Sequence, residues 1–340
     1  MTLKIAFTGT GYISKIHARA AQILPDVELV AVVNHRSESM AAFATEFDVS
    51  RQYATVTDLL ADGDVEALVV STPNYLHAPE TIAALNAGVH VMVEKPMAIN
   101  ANEAKAMLEA SQKLGALLMV AHCWRFDEEA LWVKDQIDNG RIGKIIRTKG
   151  YGVHVNWGPD GWFTQKKFAG GGALADMGIH AIDTTRFLLG DPQPVSVYAQ
   201  VGTHYKDFDV DDTGIIIVNW DNGVSSSIES GWWQPHADGP EAGTQLYGLN
   251  GMAHLFPTGL VLTNAESKQE EKVDPGFPPV RNPHCPQSMY DSQLAYFVDC
   301  IRSNTSPNPG GIEGLINMKI VDAAYESSQI GKVVEIEPES

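Results

Sequence analysis

The sequence predicts a two-domain α/β protein, with a doubly wound parallel sheet over residues 1–121 and a mostly antiparallel sheet with few helices over residues 122–340. Three observations predict it. In the first 121 residues short β-rich apolar runs alternate with helical patterns, as parallel strands joined by crossover helices require. After about residue 122 longer strand-like runs follow one another with turn residues between them, which suits an antiparallel sheet. The length of 340 residues exceeds one ordinary domain and suits two.

The elements follow in order. "KIAFTGTG", "ELVAVVN", "ALVVSTP", "VHVMVEK" and "LLMVAHC" are the strands of the first domain. Among its helices are "PETIAALNAG" and "NANEAKAMLEASQKLG". The second opens with Asn100 three residues ahead of Glu103, a capping-box spacing, and Gly88 and Gly115 stand where these helices should stop. In the second domain "KIIRTKGYGVHVN", "VSVYAQVGTHY", "TGIIIVNW" and "VSSSIESGWW" read as strands. Its helices are "GALADMGIHAIDTTRFLLG", "SMYDSQLAYFVDCIRS" and "GIEGLINMKIVDAAYESSQIG". There is no internal repeat or low-complexity tract.

Composition removes several function classes. No apolar run reaches the ~18–20 residues of a membrane-spanning helix. The opening "MTLKIAFTGTGYIS" is broken by Gly9 and Gly11 and lacks a cleavage region, so it reads as a first strand and not as a signal peptide. Three cysteines, Cys123, Cys285 and Cys300, have no metal-like spacing and suit a reducing cytoplasm. A net charge of −18 with no basic run disfavours nucleic acid and anionic membrane as partners.

The chemistry begins at "GTGYIS", Gly9 to Ser14, between the first strand and the first helix. Gly9 and Gly11 allow a tight turn and close backbone approach to a pyrophosphate, and the N–H groups of Thr10, Tyr12 and Ile13 surround the helix N-terminus that would hold it. Position 14 is serine where the usual pattern has glycine or alanine. At the end of the second strand a carboxylate would accept an adenosine ribose, whereas this chain has Asn34, His35, Arg36 and Ser37. Arg36 can pair with a 2′-phosphate and Ser37 can add a donor, so NADP(H) is favoured over NAD(H).

Ligands of a doubly wound sheet bind outside the carboxyl ends of its strands, where Glu94, Lys95 and Pro96 fall. Pro96 keeps Lys95 extended beside the expected nicotinamide, and either isomer of the preceding peptide is compatible with the sequence. The Lys95 ammonium can hydrogen-bond a substrate hydroxyl and share in moving its proton. In "AGGGALADMGIHAID" Asp176 and His180 lie four apart on a predicted helix and share a face, with Asp183 one turn beyond His180. His180 is the acid/base candidate and Asp176 its orienting partner. The pair could form half a zinc site, but no third ligand motif accompanies it and hydride transfer needs no metal. Trp157, Trp162, Trp232 and Trp233 offer sugar-stacking faces or core packing, and His154, His236 and His284 offer substrate contacts or loop positions.

Gly9-x-Gly11 with His17 downstream, "EKP" at 94–96, "WRF" at 124–126, "WF" at 162–163 and "GGGALADMGIH" at 170–180 occur in an order that resembles the glucose–fructose oxidoreductase, inositol dehydrogenase and MocA-like family over nearly the whole chain. The resemblance implies a Rossmann domain followed by an α+β domain with a large open sheet that builds homodimers or homotetramers. It implies a catalytic set of Lys95, Asp176 and His180. Thr72, Pro73, Asn74, His77 and Glu94 would line the cofactor, and Arg125 and Trp162 would lie near nicotinamide and substrate. The expected activity is reversible hydride transfer between a secondary alcohol of a sugar, inositol or related polyol and NAD(P), in the cytoplasm. A dihydrodiol or aldose-type reductase using NADPH, an NAD-using glycosidase and a non-catalytic sugar- or cofactor-binding regulator share this fold and stand as alternatives.

Overall fold

A computed structural model describes residues 2–235, 240–264, 266–267, 269–278 and 285–338. His236 and His284 lie outside the described residues. The chain divides into two compact units, one formed by Met1–Cys123 with Pro286–Leu315 and the other by Trp124–Cys285 with Ile316–Ser340.

The first unit alternates strand and helix: β1 (Leu3–Thr8), α1 (Tyr12–Ile23), β2 (Val27–Val33), α2 (Ser37–Phe47), β3 (Arg51–Tyr53), α3 (Val56–Asp62), β4 (Ala67–Val70), α4 (His77–Asn86), β5 (His90–Val93), α5 (Ala101–Leu114) and β6 (Leu118–Val120). The six strands pair in parallel in the order β3-β2-β1-β4-β5-β6. Order reverses beside β1 and β4, so the loops after these strands border the crevice where such sheets bind ligands. β4 is buried throughout, as expected of a strand covered on both faces. Asn100 accepts the Glu103 N–H at 2.9 Å, and Gly115 ends α5 with φ 69°, as their spacing predicts.

Two features of this unit differ from the sequence reading. β3 is a three-residue edge strand whose polar run "RQY" carries little strand signal. "SMYDSQLAYFVDCIRS" does form a helix, Gln287–Ser303, but it belongs to the first unit and not to the second. Its face of Met289, Tyr290, Leu294, Phe297 and Val298 is buried, Gln287 donates to the Ile16 carbonyl at 3.0 Å, and Arg302 donates to the carbonyls of Pro25 and Asp26. The last helix, Gly311–Ile330, begins in the first unit, where a side chain on Gly314 would meet Met97 and Val120.

The second unit contains α6 (Glu128–Asp138), β7 (Ile145–Val155), α7 (Lys166–Ala169), α8 (Ile179–Leu189), β8 (Pro194–Gly202), β9 (Thr213–Trp220), β10 (Ser225–Gln234), β11 (Ala242–Gly248), β12 (Gly251–Leu255), β13 (Gly259–Thr263), β14 (Glu270–Val273) and β15 (Val334–Glu335). They form a nine-stranded sheet in the order β14-β13-β12-β11-β7-β10-β9-β8-β15, antiparallel except for the pair β7 and β10. β9 alternates strictly, with Ile216, Val218 and Trp220 buried and Ile215, Ile217 and Asn219 outward. The strands from β11 to β14 carry too many glycines and polar residues to announce themselves in sequence.

The segment before α8 corrects the expectation of one continuous α-helix. Leu174–Gly178 is a π-turn that runs into α8. Asp211 clamps its start, one carboxylate oxygen accepting the Gly172 N–H and the other the Leu174 N–H, both at 2.8 Å. Tyr325 donates its hydroxyl to the same Asp211 at 2.7 Å. A side chain at Gly172 would strike the Asp211 carbonyl, and one at Gly178 would crowd the Leu174 side chain at 2.8 Å and Ser230 of β10 at 3.0 Å. Close packing at both glycines thus accompanies the wide turn that carries Asp176.

Candidate active site

In the first unit the loop after β1 is shaped by Gly9, whose φ of 82° and whose approach to Ser71 exclude a side chain: a Cβ would lie 2.5 Å from the Ser71 carbonyl oxygen. Ser14 is tolerated because it is buried and donates its hydroxyl to the Gly9 carbonyl at 2.8 Å. A Cβ on Gly11 would meet nothing within 4 Å, and α1 begins there with no side-chain cap and no acid in its first turn. Its N-terminal N–H groups and the partial positive charge of the helix therefore face open space, with Tyr12 80% exposed beside them. That is the seat a pyrophosphate fits.

Asn34 fixes the neighbouring turn. Its amide donates to Thr10 Oγ1 at 2.5 Å and to Ser39 Oγ at 3.2 Å, while its oxygen accepts the Arg36 N–H at 3.1 Å. His35, Arg36 and Ser37 are exposed, and the Arg36 guanidinium makes no ion pair among the described residues. Ser39 was invisible to motif reading; its hydroxyl also donates to the Arg36 carbonyl at 3.1 Å.

The loops after β4 and β5 are braced from below. Thr8 and Thr72 both donate to one oxygen of Glu80 at 2.8 Å; burial pushes that carboxyl up and the two hydroxyls oppose it. His77, 1% exposed, has one ring nitrogen 2.8 Å from the Pro96 carbonyl and the other 2.8 Å from the Thr72 carbonyl. Burial pushes its imidazolium down, while the two carbonyls and Glu94 favour the charge. Glu94 pairs with buried His17 at 2.7 Å and accepts the Lys95 N–H with its second oxygen at 3.2 Å. Burial pushes Glu94 up, but the His17 hydrogen bond and the charges of His17 and Lys95 outweigh it and lower the carboxyl below its ordinary value. The Lys95–Pro96 peptide is cis. His77 and Glu94 thus hold the main chain on either side of Lys95, and Pro73 and Asn74 open the turn between Thr72 and His77.

In the second unit Asp176 accepts the indole N–H of Trp232 at 3.0 Å, and His154 Nε2 stands 3.9 Å from the same oxygen. His180 stacks on Trp124, their rings 4.6 Å apart at 22°. Arg125 is buried in a four-bond fork: Nε and Nη2 donate to Asp183 at 2.8 Å, and Nη1 and Nη2 donate to Asp191 at 2.9 and 2.7 Å. Burial opposes its charge, but the two carboxylates outweigh that and raise its pKa. Asn317 donates to Asp183 at 2.8 Å. Arg125 therefore spends this fork on anchoring α8, three residues from His180. Trp162 stacks on Phe163 at 3.8 Å, and Phe163 packs on the cluster of Ala173, Met177, Val210 and Trp232.

The structure brings Gly9–Ile13 together with Asn34, sets Glu94 and His77 around Lys95, and joins Asp176 to Trp232 and His154. Lys95 stands in the first unit and Asp176, His180, Arg125 and Trp162 in the second. Glu80, Ser39 and Asp211 were missed because each acts through a partner distant in sequence or through a lone hydroxyl, and Trp232, read as a sugar-stacking face or core residue, instead donates to Asp176. Among the described residues no group of three His, Cys, Asp or Glu side chains is arranged to hold a metal ion, and no helix is long and apolar enough to cross a membrane.

Residues 3–122 match the oxidoreductase family with an NAD-binding Rossmann fold, and residues 130–254 match the GFO/IDH/MocA C-terminal domain. The chain belongs to the GFO/IDH/MocA oxidoreductase family. Its curated relatives include 1,5-anhydro-D-fructose reductase of Ensifer adhaerens, 29% identical over 91% of each chain. D-glucoside 3-dehydrogenase of Escherichia coli (strain K12) is 27% identical over 98% of this chain and 97% of its own. Levoglucosan dehydrogenase in complex with NADH and L-sorbose superposes with a TM-score of 0.87 at 25% identity, over 98% of this chain and 99% of that one. As a GFO/IDH/MocA oxidoreductase the chain uses a nicotinamide dinucleotide, for which the open Gly11 turn at the uncapped start of α1 is the fitting seat.

Proposed function

We propose that the protein is an NAD(P)-dependent dehydrogenase or reductase that interconverts a secondary alcohol and a ketone on a sugar, inositol or related polyol. The observation that carries this reading is the Asp176–His180 arrangement. A carboxylate oriented by Trp232 and an imidazole seated on Trp124 share one helical segment of a chain with an NAD-binding fold. The carbohydrate substrates named for its relatives supply the substrate class.

When bound, the nicotinamide supplies the hydride acceptor or donor. His180 takes the hydroxyl proton in oxidation and returns it in reduction, while Asp176 orients the hydroxyl and His180. Lys95 hydrogen-bonds the reacting oxygen and favours the charge that develops on it. Gly9 to Ile13 hold the pyrophosphate through main-chain N–H groups. Asn34 holds the adenosine ribose, and Arg36, with no ion pair among the described residues, favours the 2′-phosphate of NADP(H), to which Ser37 adds a donor. Thr72, Pro73 and Asn74 line the cofactor, His77 and Glu94 fix the peptide that bears Lys95, and Arg125 positions α8. Trp162 contacts substrate. The outward pair Tyr198 and Ile217, opposed on neighbouring strands, supports assembly of a homodimer or homotetramer through the sheet.

The test is reduced-nicotinamide absorbance with NADP⁺ and NAD⁺ against inositols, pyranoses, anhydrosugars and dihydrodiols, and with ketones in the reverse direction, beside His180→Ala. Turnover of a polyol that is lost in the variant is the expected result. Cofactor binding without turnover in either direction would replace the enzyme with a ligand-binding regulator.

A further inference from the structure

Of the tryptophans that the sequence offers as sugar-stacking faces, three are already engaged. Trp232 is fully buried and spends its N–H on Asp176, Trp233 packs against the buried cluster around Met177, and Trp162, which the proposed site already places against substrate, has one face covered by Phe163. Trp157 differs: it is 47% exposed, the one exposed tryptophan among the described residues.

Its position is built. β7 ends at Val155, and the φ of 59° at the following Asn156 turns the chain back so that the Trp157 ring lies on His154, centroids 3.6 Å apart at 28°. Glu241 locks it there, one oxygen accepting both the Trp157 indole N–H at 2.6 Å and the Val155 N–H at 2.9 Å. His154 stands between carboxylates, 3.7 Å from the second Glu241 oxygen and 3.9 Å from Asp176. The indole is therefore one stacked ring away from the carboxylate that the proposed function assigns to substrate. Because its only polar side-chain atom is bound to Glu241 and its carbonyl accepts the Trp233 N–H, the Trp157 side chain can offer a ligand nothing but an aromatic face and edge. Such a surface recognises a patch of C–H groups and not a hydroxyl.

We infer that Trp157, held on His154 by Glu241, is a platform for the C–H face of a cyclic carbohydrate and selects ring substrates over acyclic polyols. A pyranose or cyclitol presents several ring hydrogens on one rigid face, whereas an acyclic polyol must be ordered before it can do so, at an entropic cost. Trp157 and Glu241 are thus specificity-determining and positioning residues, respectively. The inference rests on the proposed substrate class.

The test uses the full-length protein loaded with reduced or oxidised cofactor, with methyl β-D-glucopyranoside and myo-inositol as ring probes and D-sorbitol as the acyclic probe. Dissociation constants from calorimetry, and kcat/KM wherever turnover occurs, are compared for wild type, Trp157→Ala, Trp157→Phe and Glu241→Gln. Cofactor affinity in each variant serves as the check on folding. The expected result is a wild-type preference for a ring probe that falls about tenfold in Trp157→Ala, is largely kept in Trp157→Phe and is partly lost in Glu241→Gln, with cofactor affinity unchanged. A ring-to-acyclic ratio equal in Trp157→Ala and wild type overturns the platform, as does loss of cofactor affinity to the same degree. Wild-type turnover of D-sorbitol alone overturns the platform and leaves the dehydrogenase standing. A wild type that binds cofactor but none of the probes overturns both the platform and the carbohydrate reading.

Discussion

Gly9 and Gly11 stand two residues apart in one loop, yet the structure assigns them opposite sensitivities, and substituting each by alanine separates stability from binding. At Gly9 a Cβ would lie 2.5 Å from the Ser71 carbonyl oxygen, and φ is 82°. The left-handed backbone costs an alanine about 1–2 kcal/mol, and displacing a packed main chain adds about 1–3 kcal/mol. Gly9→Ala should therefore lose roughly 2–5 kcal/mol, a fall in Tm of roughly 4–20 °C. At Gly11 φ is −77° and a Cβ meets nothing within 4 Å. The unfolded-state gain of about 0.4–1 kcal/mol opposes a similar loss of N-cap preference, so Tm should stay within about 3 °C. Its cost should fall on the ligand instead, because the new methyl occupies the proposed seat of the pyrophosphate. Losing one or more charge-assisted hydrogen bonds weakens binding by roughly 10- to 150-fold. Thermal melts and fluorescence titrations with NADH and NADPH read both quantities. Gly11→Ala protein that binds both cofactors as tightly as wild type would refute the assignment of this turn.

Arg36→Ala should weaken NADPH about tenfold and leave NADH unchanged in the same titration, and equal losses for both would remove Arg36 as the phosphate contact. Glu94 has a folded pKa below its ordinary value of 4.5, so between the two values the unfolded chain binds more protons than the folded one. Its stabilisation is complete above about pH 4.5 and disappears as pH falls through the folded value. Melting curves from pH 7 to pH 3 should thus drop more steeply for wild type than for Glu94→Gln, and parallel curves would deny Glu94 this role. Asp183→Asn removes one of the two carboxylates on buried Arg125 and should cost about 3 kcal/mol in denaturant unfolding of the second unit. A loss under about 1 kcal/mol would mean that Asp191 alone satisfies Arg125.

Features set by neighbours in the chain were legible in the sequence. Gly9 and Gly11 after a strand, Asn100 ahead of Glu103 and Gly115 at a helix end each carry their meaning within a few residues. Features set by distant contacts were not. His17 meets Glu94 across 77 positions, and Arg125 meets Asp183 across 58. Nothing local marks Gln287–Ser303 as part of the first unit, because its apolar face fits an amphipathic helix anywhere. The π-turn under Asp176 accompanies close packing at Gly172 and Gly178, which helical periodicity cannot register. Ser14 looked like a departure from the glycine motif, yet its hydroxyl caps the Gly9 carbonyl that the turn exposes.

The central claim is that this chain moves a hydride between a carbohydrate carbon and a nicotinamide, with His180 handling the proton. The most direct measurement incubates the protein with oxidised cofactor and a ring polyol deuterated at its carbinol carbons, and follows the nicotinamide by proton NMR. Deuterium delivered to one face of C4, in wild type and not in His180→Ala, is the predicted result. Cofactor that binds and remains unlabelled with every polyol, while the protein still recognises the sugar, would contradict the account and leave a binding protein in its place.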